Sequence, residues 1–128
     1  MAAATEPVSV IIPTYNRAHL VSRAVTSALA AVRPCDEVIV IDDGSTDDSR
    51  SILASYGERI RALHQEGAGQ AAALNRAFAE SAGDVICLLD ADDAWRPDKV
   101  ERVVRALAAS PDAGWLRHKL ALTDDALR

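Results

Sequence analysis

The chain has 128 residues, enough for one ordinary domain. Its formal net charge of −5 and pI near 5.1 argue against a nucleic-acid binder working through a basic surface. Hydrophobic residues make up 49%, but aromatics only 4% and alanine about a fifth, so Val, Ile and Leu must fill a core of small side chains.

Met1 to Pro7 has neither a basic stretch nor an apolar run, so the first seven residues read as a disordered N-terminus without a signal peptide. Val8-Ser-Val-Ile-Ile12 is β-branched and short, a strand that Pro13 is expected to end. From Ala18 to Val32, Leu20, Ala24, Ala28, Leu29 and Val32 share a helical face, and Pro34 stops the helix. Glu37-Val-Ile-Val-Ile41 is a second strand, followed by the turn Asp42-Asp-Gly-Ser-Thr-Asp-Asp48. Ser45 with Asp48 resembles a capping box for a helix carrying Ile52, Leu53 and Tyr56. A weaker strand is expected near Ile60 to His64, a loop at Glu66 to Gly69, and an alanine-rich helix over Ala71 to Ser81 with Leu74, Ala77 and Phe78 inward. Val85-Ile-Cys-Leu-Leu89 reads as the most buried strand. Pro97 then opens a helix with the stripe Val100, Val103, Val104, Leu107, and the pattern fades after Pro111.

The order β-α-β-α-β-α-β-α, with strands apolar on both faces, implies an α/β domain over residues 8–110, its parallel sheet covered by helices on both sides. Residues 111–128 form a tail. In such sheets ligands sit beyond the carboxyl ends of the strands. The polar clusters Pro13 to Asn16, Asp42 to Ser45 and Asp90 to Asp93 all fall there. Two windows, Asp42 to Asp48 and Asp90 to Asp98, hold eight of the nineteen acids, each just after an apolar run.

Asp90, Asp92 and Asp93 crowd three carboxylates into four positions, a pattern that suits a hard divalent cation and otherwise raises a carboxyl pKa. A solvated turn capping the next helix is the plainer reading. In the second turn Gly44 permits positive φ, and Asp43 has the chemistry to accept an N–H from a base or a sugar hydroxyl, while Ser45 caps. Tyr15 suits either stacking on a planar base or packing on the next helix. Arg17, Arg76 and Arg96 lie near the rim. His19, His64 and His118 share no motif spacing. Cys35 and Cys87 form no framework, and Cys87 is expected to be a buried thiol. With no membrane-length apolar run, the chain reads as cytoplasmic, with peripheral membrane association left open.

Val8-Ser-Val-Ile-Ile-Pro-Thr-Tyr-Asn-Arg17, Val40-Ile-Asp-Asp-Gly-Ser-Thr-Asp47 and Leu88-Leu-Asp-Ala-Asp-Asp93 with Pro97-Asp98 resemble, in order and separation, the family-2 glycosyltransferases of the GT-A, Rossmann-like fold. The resemblance covers about Val8 to Ala109. It implies an inverting transfer from a nucleotide-sugar donor, often a UDP-sugar, with Mg2+ or Mn2+. It places Pro13, Thr14 and Tyr15 at the nucleobase, Asp43 on the base and Asp42 under that turn. Asp92 becomes a metal ligand, with Asp90 and Asp93 at the diphosphate or donor sugar. Gly67 and Leu74 stand where the family often has Asn and Arg.

Only 35 residues follow Asp93, whereas the family's acceptor-binding half and its general base come well after that motif. The expectation is therefore a donor-binding half without a nameable base, Asp112, Asp124 and Asp125 included. Self-association, or a mobile tail, is expected over Ala113 to Leu127, which bears Trp115, Leu116, Leu120 and Leu122. The competing readings are a nucleotide- and metal-binding module that transfers nothing, and a phosphotransferase of the haloacid dehalogenase type. The latter needs its Asp-x-Asp on an early strand and leaves the first two motifs unexplained.

Overall fold

In the computed structural model of the chain, residues 6–117 are described. The expectations for residues 1–5 and for His118, Leu120, Leu122, Asp124 and Asp125 lie outside them. The elements are β1 (Val8–Thr14), α1 (Ala18–Ala31), β2 (Glu37–Asp43), α2 (Ser49–Ala54), β3 (Arg61–Gln65), α3 (Gln70–Glu80), β4 (Val85–Leu88) and α4 (Lys99–Ala109), with a single 3-10 turn, Gly57–Arg59, before β3. This is the expected alternation. No helix among the described residues is long and apolar enough to cross a membrane.

The sheet is wholly parallel in the order β3-β2-β1-β4, with Ile11 opposite both Ile39 and Leu88. Right-handed crossovers explain the layers. The steps β1 to β2 and β2 to β3 run one way and put α1 and α2 on one face. The step from β3 back past β1 to β4 reverses direction and puts α3 on the other. On the first face Val8, Val10, Ile12, Val38 and Val40 pack against α1, Leu53 of α2, and Val100 and Val104 of α4. On the second, Ile11, Ile39, Ile41 and Leu63 meet Ala73 and Ala77 of α3 alone.

Several sequence expectations shift. Pro13 lies inside β1 rather than ending it. The carbonyls of Pro7 and Ile11 accept from the β4 side, so Pro13, at the same parity, turns its missing N–H toward a neighbour whose pairing has already ended at Leu88. The buried face of α1 is Val21, Ala24, Val25, Ala28 and Ala31, rotated from the expected one, because its alanines let the helix lie close to the sheet while Leu20 and Leu29 flank the contact. Pro97 sits in the turn before α4, whose N-cap is Asp98. Cys87 is buried as expected. β4, expected to be the most buried strand, is instead an edge of the described sheet: Leu88 is 59% exposed on the face that α3 covers only in part, and Phe78 of α3, expected to face inward, is 63% exposed.

The amino end of the sheet is clamped by side chains. Asp36 accepts from the Val8 amide (2.8 Å) and from Arg33 Nη2 (2.9 Å), and Arg33 also reaches the Glu6 carbonyl. Ser9 Oγ donates to Glu37 and accepts the Gly83 amide, while Glu37 takes the Ala82 amide as well. A Cβ at Gly83 would stand 2.6 Å from the Ser9 nitrogen, so only glycine lets the chain enter β4 here.

Burial works to raise the Asp36 pKa, but the Arg33 side chain and the Arg33 and Val8 amides outweigh it and hold the carboxyl below its ordinary value. A depressed carboxyl stabilises the fold above its unfolded pKa, and that stability is lost as pH falls through the folded value. Asp36→Ala is expected to cost roughly 2–3 kcal/mol in urea unfolding at neutral pH. Asp36→Asn is expected to flatten the acid limb of stability below about pH 3.9.

Candidate functional site

An open cavity of about 410 Å³ lies at the carboxyl ends of the strands. Pro13, Thr14, Tyr15 and Arg17 line it from the end of β1, Asp43 from β2, Gln70 and Ala73 from the start of α3, and Asp90, Ala91 and Asp92 from beyond β4. It spans the point where the sheet order reverses between β1 and β4, the usual ligand crevice of an open α/β sheet.

The Asp42 carboxylate is fully buried, so it must be satisfied from within. Its Oδ1 accepts both the amide and the hydroxyl of Ser45. Its Oδ2 faces His64 Nδ1 at 3.4 Å and Arg50 Nε at 3.8 Å. Ser45 is thus tied to Asp42 and is not a helix cap: α2 starts later, at Ser49, and its N-cap Asp48 makes no side-chain cap bond. Ser45 Oγ also accepts the Asn16 amide (2.9 Å), and Asn16 Oδ1 accepts the Thr46 amide (2.8 Å). Asp47 takes the Ala18 amide at the start of α1 and both the amide and hydroxyl of Ser49. The β1 and β2 turns are therefore one laced rim. Asn16 bears the lacing at φ +50, a left-handed conformation that Asn tolerates better than most residues.

Asp43 is more committed than its sequence position suggests. Oδ1 accepts Gln65 Nε2 (2.8 Å) and the Ala68 amide (2.9 Å), and Oδ2 accepts the Gly69 amide (3.0 Å). These donors, Gln65 first, hold its pKa below the ordinary carboxylate value. Gly44 adopts φ +84, and a Cβ there would lie 2.8 Å from the Gly67 nitrogen. The loop 66–69 and the rim of β2 are thus held together, which sets where α3 begins.

Thr14 is 4% exposed, and its Oγ1 has no hydrogen-bond partner among the described residues. Tyr15 is 53% exposed on the cavity lip. Arg76 turns away, donating to the His64 carbonyl (2.6 Å) and pairing with Glu80, and Arg96 pairs with Asp98, which leaves Arg17 as the one of the three rim arginines on the cavity.

Asp90, Asp92 and Asp93 stand beside the cavity with one carboxylate oxygen from each within 4.8 Å of the others, all exposed. Such an all-oxygen set fits a hard divalent cation. Asp93 is raised above the ordinary carboxylate value, first by burial and then by the charges of Asp92 and Asp90. Asp93 does not line the cavity itself, and the turn is closed by its amide donating to the Asp90 carbonyl (3.0 Å). Sequence reading missed Gln65 and the roles of Asn16 and Ser45, since each acts across segments about thirty residues apart or on a neighbouring strand.

The family model for glycosyl transferase family 2 matches residues 9–118. An uncharacterized glycosyltransferase of Nostoc sp. is 40% identical over 115 residues, covering 87% of this chain and 36% of its own length. A mannosyltransferase of Pyrobaculum calidifontis, solved in complex with GDP-Man and Mn2+, superposes with a TM-score of 0.70 at 31% identity, over 82% of this chain and 34% of that one. TarS of S. aureus gives a TM-score of 0.73 at 24% identity, over 80% and 32%, and a fold likeness alone. The chain thus spans about a third of the length of these proteins, and its fold is GT-A.

Gly44→Ala is expected to cost about 2 kcal/mol, from positive φ and the contact with Gly67. The melting temperature should fall and exchange of the Ala68 and Gly69 amides should quicken; unchanged exchange would show that the loop does not depend on Gly44.

Proposed function

The chain belongs to glycosyl transferase family 2, and from that membership we propose that it holds a nucleotide-sugar donor, a UDP-sugar by preference, for transfer of the sugar to an acceptor with inversion. The observation that supports this best is the convergence on one cavity of an exposed aromatic, a buried unpartnered hydroxyl and an acidic group of cation-binding composition. Solved structures similar to this chain carry GDP-Man with Mn2+ and, in a glucosyl-3-phosphoglycerate synthase of Mycobacterium tuberculosis, UDP with Mn2+.

In this reading Tyr15 stacks on the base beside Pro13, and the Thr14 hydroxyl finds in the ligand the partner it lacks among the described residues. Asp43 accepts a base N–H, and Asp42 keeps its turn in place. Asp92, with Asp90 and Asp93 beside it, would hold Mg2+ or Mn2+. When bound, the cation supplies positive charge to the diphosphate as it leaves. The acceptor oxygen bonds to the anomeric carbon on the face opposite the breaking bond to diphosphate, and a base takes its proton. Apart from Asp43 and the acidic group, no carboxylate lines the cavity among the described residues, and none is assigned as that base. This favours, as a second reading, a module that binds nucleotide and metal and leaves transfer to residues outside those described.

Calorimetric titration with UDP is expected to show binding with Mn2+ and at least about tenfold weaker binding without it. Asp92→Ala should remove the metal dependence. Metal-independent binding would count against the acidic group as the cation site, and the absence of any binding against the donor reading altogether. Release of sugar from a UDP-sugar, lost in Asp92→Ala, separates transferase from binding module.

A further inference from the structure

An ionised carboxylate offers about four acceptor positions, two on each oxygen. In Asp43 three are taken by the protein: Gln65 Nε2 at 2.8 Å and the Ala68 amide at 2.9 Å on Oδ1, and the Gly69 amide at 3.0 Å on Oδ2. Each of these donors is placed by the sheet or by the loop beside it. Gln65 ends β3, in register beside Asp43 itself. The amides belong to the loop that packs against Gly44 and leads into α3.

We propose that Gln65, with the Ala68 and Gly69 amides, sets the nucleobase preference of the site by leaving Asp43 a single acceptor position, which selects a base presenting one ring N–H, uracil or thymine, against guanine. The inference rests on the reading of this cavity as a nucleotide site and deepens it. Guanine presents two adjacent donors, its ring N–H and its amino group, and a carboxylate satisfies both only with one open position on each oxygen. Here Oδ1 is filled, so one guanine donor would be desolvated without a partner, which is costly. Uracil and thymine present one N–H between two carbonyls and need only the remaining position on Oδ2. Cytosine and adenine place a ring nitrogen lone pair beside their amino group, and that lone pair repels the carboxylate. Gln65 is therefore a positioning residue: it makes no contact with the base and acts through Asp43.

The test is calorimetric titration of the chain with UDP, dTDP and GDP in the presence of Mn2+. UDP and dTDP are expected to bind about tenfold or more tightly than GDP. Gln65→Met, similar in length but unable to donate, and Gln65→Ala, each checked for folding by circular dichroism, should reopen a position on Oδ1 and shrink the UDP-to-GDP ratio several-fold. A purely structural role for Gln65 would weaken all three nucleotides alike and leave the ratio in place; that result overturns the proposal. GDP binding as tightly as UDP to the parent chain overturns it without any variant. Binding of all three without preference defeats this inference alone, whereas binding of none defeats the nucleotide-site reading on which it rests.

Discussion

A carboxylate with no exposure to water governs this fold's functional end. Asp42 follows the apolar run Val38 to Ile41 near the end of β2, and its charge is taken up by Ser45, with His64 and Arg50 nearby. Ionised carboxylates tolerate burial only when donors surround them. The turn after β2 must therefore curl back so that Ser45 presents both its amide and its hydroxyl. Once it does, the same hydroxyl oxygen is available to the Asn16 amide, and the end of β1 is drawn into line. The position of the cavity walls follows from this demand rather than from any contact within the cavity.

The distribution of apolar mass follows a similar economy of shape. Alanines at 24, 28 and 31 let α1 press on the sheet, and alanines at 73 and 77 do the same for α3 on the opposite face. Small side chains bury less area per residue but bring backbones close, so the few large aliphatics of β1 and β2 are sealed on both sides. The two ends of the sheet are then free to specialise. Hydrogen bonds among Asp36, Arg33, Ser9 and Glu37 hold the amino end, and the carboxyl end carries the polar turns.

Local pattern carried most of the architecture. Alternation of β-branched runs with amphipathic helices led to the right element order, to helices on both faces and to a cavity at the strand ends. The three polar motifs, two of them acidic, pointed to the residues that line or flank it. What escaped was decided by burial and by partners distant in sequence. The apolar run of β4 reads as buried, but strand order puts it at an edge. The alignment of Ser45 and Asp48 satisfies the capping spacing, but the stronger claim on Ser45 comes from a buried charge three residues before it. Gln65 carries no motif, because its meaning depends on β3 lying in register beside β2. Arg76 looks rim-directed until the β3 carbonyl and Glu80 are seen to hold it.

The central place of β1 has a kinetic consequence. It comes first among the described strands, yet one of its two neighbours, β4, pairs Val8 with Val85 from far along the sequence. Loop closure of that length is slow compared with the local steps joining β1, β2 and β3. A nascent chain can assemble the three-stranded part early, while the segment bearing Asp90, Asp92 and Asp93 docks last. The acidic cluster is thus kept apart from the other two turns until β4 has paired with β1, and before that step one wall of the cavity is missing.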